Sequence, residues 1–323
     1  MKPFTLVHAR SLDEASRESA RADAELKAGG VDLLDRMKEG FDNPTVVVSI
    51  AGLSGLDRIE TGPPAKIGAL ATLASIAANP GTIKLYPALA AAAAGAATPQ
   101  IRNMATLGGN LCQRPRCWYY RLEEFDCRKK GGSECFAREG ENRFHAIYET
   151  DLLCCCVHPS ATGTALSAYG ASLDIVSTKG KRTLPMDQFF YRPTDDATRE
   201  NNLKPGEIIE SVSIPTPAPG TRGVYRKLKE KESFDWPLVE TAVVLSIAGG
   251  SIQNARVFFG SVAPVPYRSK EAEAALNGSK PGPETAKRAA EAAVSAAKPL
   301  SQNAYKVRLA RIELERALRE AFA

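Results

Sequence analysis

Histidine is scarce in this chain: 323 residues hold three, His8, His145 and His158. Arrangements that need histidine as a base therefore have few candidates, and neither G-x-S-x-G nor H-E-x-x-H occurs, which argues against a self-contained hydrolase. Long apolar runs are missing too. The longest, residues 88–97, is about half a membrane span and mostly alanine, so it reads as a packed helix and no membrane insertion is expected. There is no concentrated basic face: the net charge is +5, and the densest basic run, residues 226–231, is broken by Leu228 and Glu230. Nucleic acid is not an expected partner. The start, Met1-Lys2-Pro3-Phe4-Thr5-Leu6, has neither a long hydrophobic segment nor a small-residue cleavage site, so an export signal is not expected. The full G-x-G-x-x-G dinucleotide fingerprint is also lacking, which argues against a Rossmann unit.

What is present is ordinary globular composition, 44% hydrophobic and 24% charged, at a length that suits two or three compact units. Patterning predicts strands at 5–7, 25–28 and 45–50, with helices at 11–23 and 33–38 between them, a small β-α-β-α-β unit. Helical stretches follow at 70–77 and 85–97, and residues 98–111 read as an irregular loop. Later, residues 166–169 are helical, and strands follow at 173–177, after the turn at 179–181, and at 206–214. Thr216-Pro217-Ala218-Pro219-Gly220 is the best linker candidate, with a domain boundary near Arg222. The last hundred or so residues read as three strands (224–228, 239–247, 252–259) and helices at 269–276, 284–297 and 305–322.

Two glycine pairs carry chemistry. Lys27-Ala28-Gly29-Gly30-Val31-Asp32-Leu33 puts Gly-Gly between a strand and a helix start, where backbone N–H groups and the helix dipole favour a phosphate. A steric turn would look the same. A second loop, residues 98–111, includes Thr106-Leu107-Gly108-Gly109-Asn110 and adds hydroxyl and amide donors. Two such loops gripping one pyrophosphate would hold a dinucleotide without a Rossmann fingerprint.

The runs A-G-G-x-D-L at 28–33 and Q-I-R-N-x-A-T-L-G-G-N-L at 100–111, then Ile214-Pro215 and Tyr225-Arg226-Lys227, and finally Asn303-Ala304-Tyr305-Lys306-Val307-Arg308-Leu309-Ala310-Arg311, stand in one order. In this the chain resembles the flavin subunits of the xanthine dehydrogenase, or molybdenum hydroxylase, family. The resemblance implies an α+β fold: a two-lobed, vanillyl-alcohol-oxidase-like FAD-binding domain (1–222), then a small α+β domain (223–323) with a three-stranded antiparallel sheet. It implies FAD contacts at Lys27, Ala28, Gly29, Gly30, Val31, Asp32, Leu33, Thr106, Gly108, Gly109, Asn110, Ser160, Ile209 and Lys227. Lys227 would sit beside the flavin ring, where its charge stabilises reduced flavin. Two positions depart from the family pattern: Val31 replaces a common threonine, and Ala161 follows Ser160 where an aspartate is usual.

All seven cysteines lie between Cys112 and Cys156, too local for a disulfide framework and odd in number. Cys117, Cys127, Cys135 and the triplet Cys154-Cys155-Cys156 in polar, strand-poor chain suit a 4Fe-4S cluster; zinc and free buried thiols are the competing readings. Arg116-Cys117-Trp118-Tyr119, Glu141-Asn142-Arg143-Phe144-His145-Ala146 and Cys154-Cys155-Cys156-Val157-His158-Pro159 make this insertion, about 112–158, similar to the one in FAD subunits of bacterial periplasmic aldehyde oxidoreductases. That likeness implies cluster ligands Cys117, Cys127, Cys135 and Cys154, the last by its offset from His158, with Cys155 and Cys156 open as substitutes. It further implies an oxidoreductase subunit with no catalytic residue of its own: a large molybdopterin subunit oxidises the aldehyde, a small subunit with two 2Fe-2S clusters passes electrons on, and FAD here delivers them to an external acceptor. A 4-hydroxybenzoyl-CoA reductase or xanthine dehydrogenase type of complex is the alternative, and a zinc-stabilised bridging subunit without redox role is a third. The flavin loops and the cysteine segment are expected to act as separate constellations. Expected localisation is cytoplasmic, or periplasmic with a signal-bearing partner.

Overall fold

The computed structural model describes residues 1–62 and 64–323. Its first unit is a parallel sheet of β1 (Thr5–His8), β2 (Ala24–Lys27) and β3 (Val46–Ser49) in the order β1-β3-β2. Three consecutive valines at 46–48, all buried, suit the central position, because a parallel strand covered on both faces needs apolar side chains in both directions. The first crossover helix, Leu12–Ser19, starts where Ser11 accepts the Glu14 N–H at 3.1 Å and Glu14 reaches back to the Arg10 N–H at 2.7 Å. The second, Val31–Glu39, follows Gly30, whose φ of 76° is left-handed.

A mixed lobe follows. Strands β4 (Ile59–Glu60), β5 (Ala65–Gly68), β6 (Ser172–Ser177), β7 (Gly180–Pro185) and β8 (Ile208–Ile214) form an antiparallel sheet in the order β4-β5-β8-β6-β7. Its core joins helices Leu73–Ala78, Pro87–Gly95 and Ala161–Tyr169. The alanine-rich run forms most of the second of these, packed as read from the sequence, with Ala96 and Ala97 beyond its end. Residues 98–111 are not the irregular loop expected there. They form two short helices, Pro99–Met104 and Leu107–Leu111, because Thr98 and Thr106 cap the Ile101 and Gly109 N–H groups. Local capping outweighs the helix-weakening glycines over so few residues.

The last sheet is antiparallel, β9 (Thr221–Leu228), β10 (Val239–Ala248), β11 (Ser251–Gly260) and β12 (Tyr267–Arg268), in the order β12-β11-β10-β9. The expected three strands are four, since β12 has two residues and so no readable alternation. Helices Lys270–Leu276, Pro283–Ala293 and Tyr305–Phe322 share one core with β9, β10 and β11.

The cysteine segment is irregular apart from Trp118–Arg121 and a 3₁₀ turn, Arg128–Lys130. Its later part is fastened to the last sheet: the Ile147 and Tyr148 N–H groups both donate to the Val262 carbonyl, at 2.8 and 3.1 Å. Tyr148 stacks on Tyr267 with ring centroids 4.0 Å apart.

Candidate functional site

A cavity of about 780 Å³ lies at the carboxyl end of β2, between the parallel unit, the mixed lobe and the edge of the last sheet. That volume is in the range of cofactor sites, and the carboxyl end of a parallel strand is where such sheets bind ligands. One wall is the turn Ala28-Gly29-Gly30 with the start of helix Val31–Glu39; another is residues 96–98 and 105–110, and Ile209 of β8 and Lys227 of β9 complete it. Phe234, Asp235 and Trp236 also line it, with Trp236 52% exposed and Arg116 stacked 4.7 Å from its ring.

The two glycine loops touch each other. A Cβ on Gly29 would run into the Met104 carbonyl, and one on Gly108 would come within 3.1 Å of the Ala69 side chain. A Cβ on Gly109 would have only the Thr106 hydroxyl nearby, at 3.1 Å. The Gly29-Gly30 turn ahead of its helix, the Asn110 side chain and a lysine are donors of the kind a pyrophosphate and a flavin require, while the second loop, whose N–H groups donate internally, supplies room and close backbone.

Of the residues assigned to FAD from the sequence, all but Ser160 line this cavity. Ser160 lies behind the wall: it caps helix Ala161–Tyr169 and donates to Asn110 Oδ1 at 2.7 Å, where Thr162 also donates at 2.6 Å. Its role is to hold Asn110. Its neighbour Ala161, at the position where the family favours aspartate, does line the cavity.

Asp32 meets more positive charge than any other residue here. Arg116 lies 2.7 Å away, Arg121 2.8 Å and Arg36 3.2 Å, and the Arg114 N–H donates at 3.0 Å. Burial works against its ionisation, yet Arg116, the Arg114 N–H, Arg36 and Arg121 together hold its pKa below the ordinary carboxylate value. Three of these arginines belong to the segment around Cys117, so one aspartate ties the flavin loop to the cysteine insertion. Sequence reading missed this clamp, and also Glu200 and Glu240 in the wall, which stand in no local motif. Glu200 pairs with Arg114 at 3.0 Å and with buried Lys129 at 2.8 Å.

Lys227 donates to the Gly95 carbonyl at 2.9 Å, and burial lowers its pKa. Across the β9–β10 ladder it faces Glu240.

Cys117, Cys127, Cys135, Cys154 and Cys156 surround a second, small void of about 20 Å³, which Lys129 also lines. A donor set of five thiols is of the kind that suits iron and sulfide, but the room suffices for about one water, so the loop would have to widen to take a cluster. Among the described residues no three His, Cys, Asp or Glu side chains are arranged to hold a single metal ion. Cys155 does not line the void, though its sulfur is 3.7 Å from that of Cys135; Cys112 faces the large cavity. Nε2 of His145 lies 3.2 Å from the Cys117 sulfur, and burial pushes the imidazole down to about 4.

Comparison with known proteins agrees with this architecture. Residues 2–217 match the FAD binding domain in molybdopterin dehydrogenase, and residues 223–321 the CO dehydrogenase flavoprotein C-terminal domain. The chain is 34% identical to the aldehyde oxidoreductase FAD-binding subunit PaoB of Escherichia coli, covering 100% of this chain and 99% of that one. It is 29% identical to the carbon monoxide dehydrogenase medium chain of Hydrogenophaga pseudoflava, over 94% of this chain and 90% of that one. A solved carbon monoxide dehydrogenase structure from the same organism superposes with a TM-score of 0.77 at 27% identity, covering 99% of this chain and 97% of that chain. The match is continuous from the first glycine loop to the last helix, and the chain belongs to the family of FAD-binding subunits of molybdenum hydroxylases, an oxidoreductase family.

Proposed function

We propose that this chain is the electron-transfer subunit of a molybdenum-dependent aldehyde oxidoreductase, with FAD in the large cavity and a 4Fe-4S cluster on Cys117, Cys127, Cys135 and Cys154. The observation that carries the cluster is the gathering of these four sulfurs, with Cys156, around one void. Full-length similarity to an aldehyde oxidoreductase subunit supports the substrate class. In this reading residues 1–222 are the FAD-binding domain with its insertion at about 112–158, and residues 223–323 the C-terminal domain. A large molybdopterin subunit performs the aldehyde chemistry, and a small 2Fe-2S subunit feeds this one. The complex is cytoplasmic, or periplasmic where a signal-bearing partner exports it folded.

FAD supplies the ability to take up electrons singly and release them in pairs. The chain's own residues do the rest. Backbone N–H groups of the Gly29-Gly30 turn would hold phosphate, Gly109, whose own N–H is spent on Thr106, would leave room for it, Asn110 is fixed by Ser160 and Thr162, and Lys227 would present positive charge to the ring.

The test is an ultraviolet-visible spectrum of the purified subunit with iron and sulfide per flavin. Flavin bands with a bleachable broad shoulder are expected, and serine at Cys117, Cys127, Cys135 or Cys154 should lower iron and sulfide together. Serine at Cys112 should not. Full iron in the Cys127 or Cys135 variants would sink the cluster; loss only in a triple change of Cys154, Cys155 and Cys156 would move the fourth ligand within the triplet.

A further inference from the structure

Glu240 is a buried carboxyl to which FAD binding assigns no part. It is 1% exposed, stands on the wall of the flavin cavity, and lies directly across the ladder from Lys227. Only neutral groups hold its oxygens: the Tyr225 hydroxyl donates at 2.5 Å and the Ser261 hydroxyl at 3.3 Å. Among the described residues no lysine or arginine forms an ion pair with it. Burying a carboxyl with hydroxyl donors but no ion pair costs free energy, and the cost is least when the carboxyl is protonated.

The surroundings are shaped around this one group. A Cβ on Gly260 would strike both the Glu240 carboxylate and the Thr164 hydroxyl, so glycine there leaves room for it. Ser261, next along, has φ of 60°, a left-handed conformation that a non-glycine residue adopts only when its contacts enforce it. Two contacts do: its hydroxyl reaches Glu240, and its carbonyl accepts from the Lys306 ammonium at 2.6 Å.

We infer that Glu240 is a positioning residue that acts through Lys227, a counter-charge whose protonation sets how much of the lysine's positive charge reaches the flavin. The inference rests on the placement of Lys227 beside the ring. As a neutral acid, Glu240 leaves that charge uncompensated and favours reduced flavin; as a carboxylate it offsets the charge and disfavours it. The groups facing it are Tyr225 and Lys227 on β9, Gly260 at the end of β11 with Ser261 just beyond, and Thr164 on helix Ala161–Tyr169, so among the described residues Lys227 is its one charged neighbour. Lys227 in turn is within reach of Lys229, Asp235 and Arg102. Burial raises the Glu240 pKa above the ordinary carboxyl value, against the pull of the Tyr225 hydroxyl and Lys227.

The experiment is the midpoint potential of the flavin in the FAD-loaded subunit from about pH 5 to about pH 8, read from the flavin absorbance. Glu240→Gln copies the neutral acid, so its potential should coincide with wild type at the acid end and lie above it increasingly as pH rises. Lys227→Met should lower the potential most at the acid end and approach wild type as pH rises, and adding Glu240→Gln to it should change nothing further, because Glu240 without its lysine stays protonated. Tyr225→Phe removes a donor to the carboxylate and should move the bend in the curve to higher pH, an effect that mere packing damage does not produce. Parallel wild-type and Glu240→Gln curves, with Lys227→Met still lowering the potential, would overturn this inference and leave Lys227 in place. An unmoved potential in Lys227→Met would remove the lysine assignment and this inference with it.

Discussion

Gly29 and Gly109 look alike in the sequence and serve different ends in the fold. Gly29 is glycine because the Met104 carbonyl occupies the space of a side chain, whereas Gly109 has open cavity on that side with the Thr106 hydroxyl as its one neighbour. Gly109→Val should therefore leave the fold intact and fill ligand space, weakening FAD by roughly 30-fold or more, about 2 kcal/mol. Gly29→Ala should force the two loops apart, lowering the melting temperature as well as FAD affinity. Flavin retention on gel filtration and thermal unfolding of both variants check this; a Gly109→Val protein with full flavin would remove that loop from the site. The sequence made the two-loop site legible because Gly-Gly at a strand end and a Thr-led cap are local signals. It hid the Gly29–Met104 contact, since close approach between remote segments leaves no mark at either position. Ser160 illustrates the same limit: the resemblance gives it as an FAD contact, and only the fold shows that its hydroxyl donates to Asn110.

The cysteine insertion and helix Val31–Glu39 form one structural unit. Arg121, buried, donates to Asp32 at 2.8 Å, to Asp35 and Glu39 at 3.0 Å each, and to the Pro115 carbonyl at 2.9 Å. The expectation that flavin loop and cysteine segment act separately thus fails at Asp32, which both share. Charge pairing of this kind is tertiary and has no spacing rule, which is why a reading by motif separates them. Arg121→Ala should leave Asp32, Asp35 and Glu39 with fewer partners, loosening the helix start that faces the cavity. FAD affinity should fall about tenfold, near 1.4 kcal/mol, and limited proteolysis should cut within residues 112–135 faster than in wild type. Unchanged flavin binding together with faster cleavage would show that the insertion moves independently of the cavity.

Across the whole molecule, the insertion joins the first domain to the last through the start of helix Tyr305–Phe322. Asn303 donates from one amide to the carbonyls of Asn142, His145 and Ala146, at 3.3, 3.2 and 2.9 Å. Lys306, 0% exposed, gives its ammonium to the carbonyls of Phe144, His145 and Ser261, at 3.2, 3.0 and 2.6 Å, and meets no carboxylate among the described residues. Three donors meet three acceptors, which is why a lysine is tolerated in a place where an unpartnered ammonium is not. The run 303–311 was legible as a closing helix, but its first turn faces the insertion, and only the folded chain shows that. Lys306→Met keeps the stem and strips the donors, leaving three carbonyls short of a partner; an unsatisfied buried acceptor costs about 1–3 kcal/mol. Because the His145 carbonyl retains Asn303, the sum is not additive, and a net loss of about 3 kcal/mol is expected. For a chain of this size that lowers the melting temperature by roughly 4–5 °C. The same substitution frees the strained Ser261 and with it one of the two hydroxyls on Glu240, so the pH bend of the flavin potential should shift along with the stability. A melting temperature within about 2 °C of wild type would show that the carbonyls find water instead, and that the other bonds between the insertion and the C-terminal domain, those of Asn303, Asn142, Ile147, Tyr148 and Thr150 among them, suffice to hold the two together.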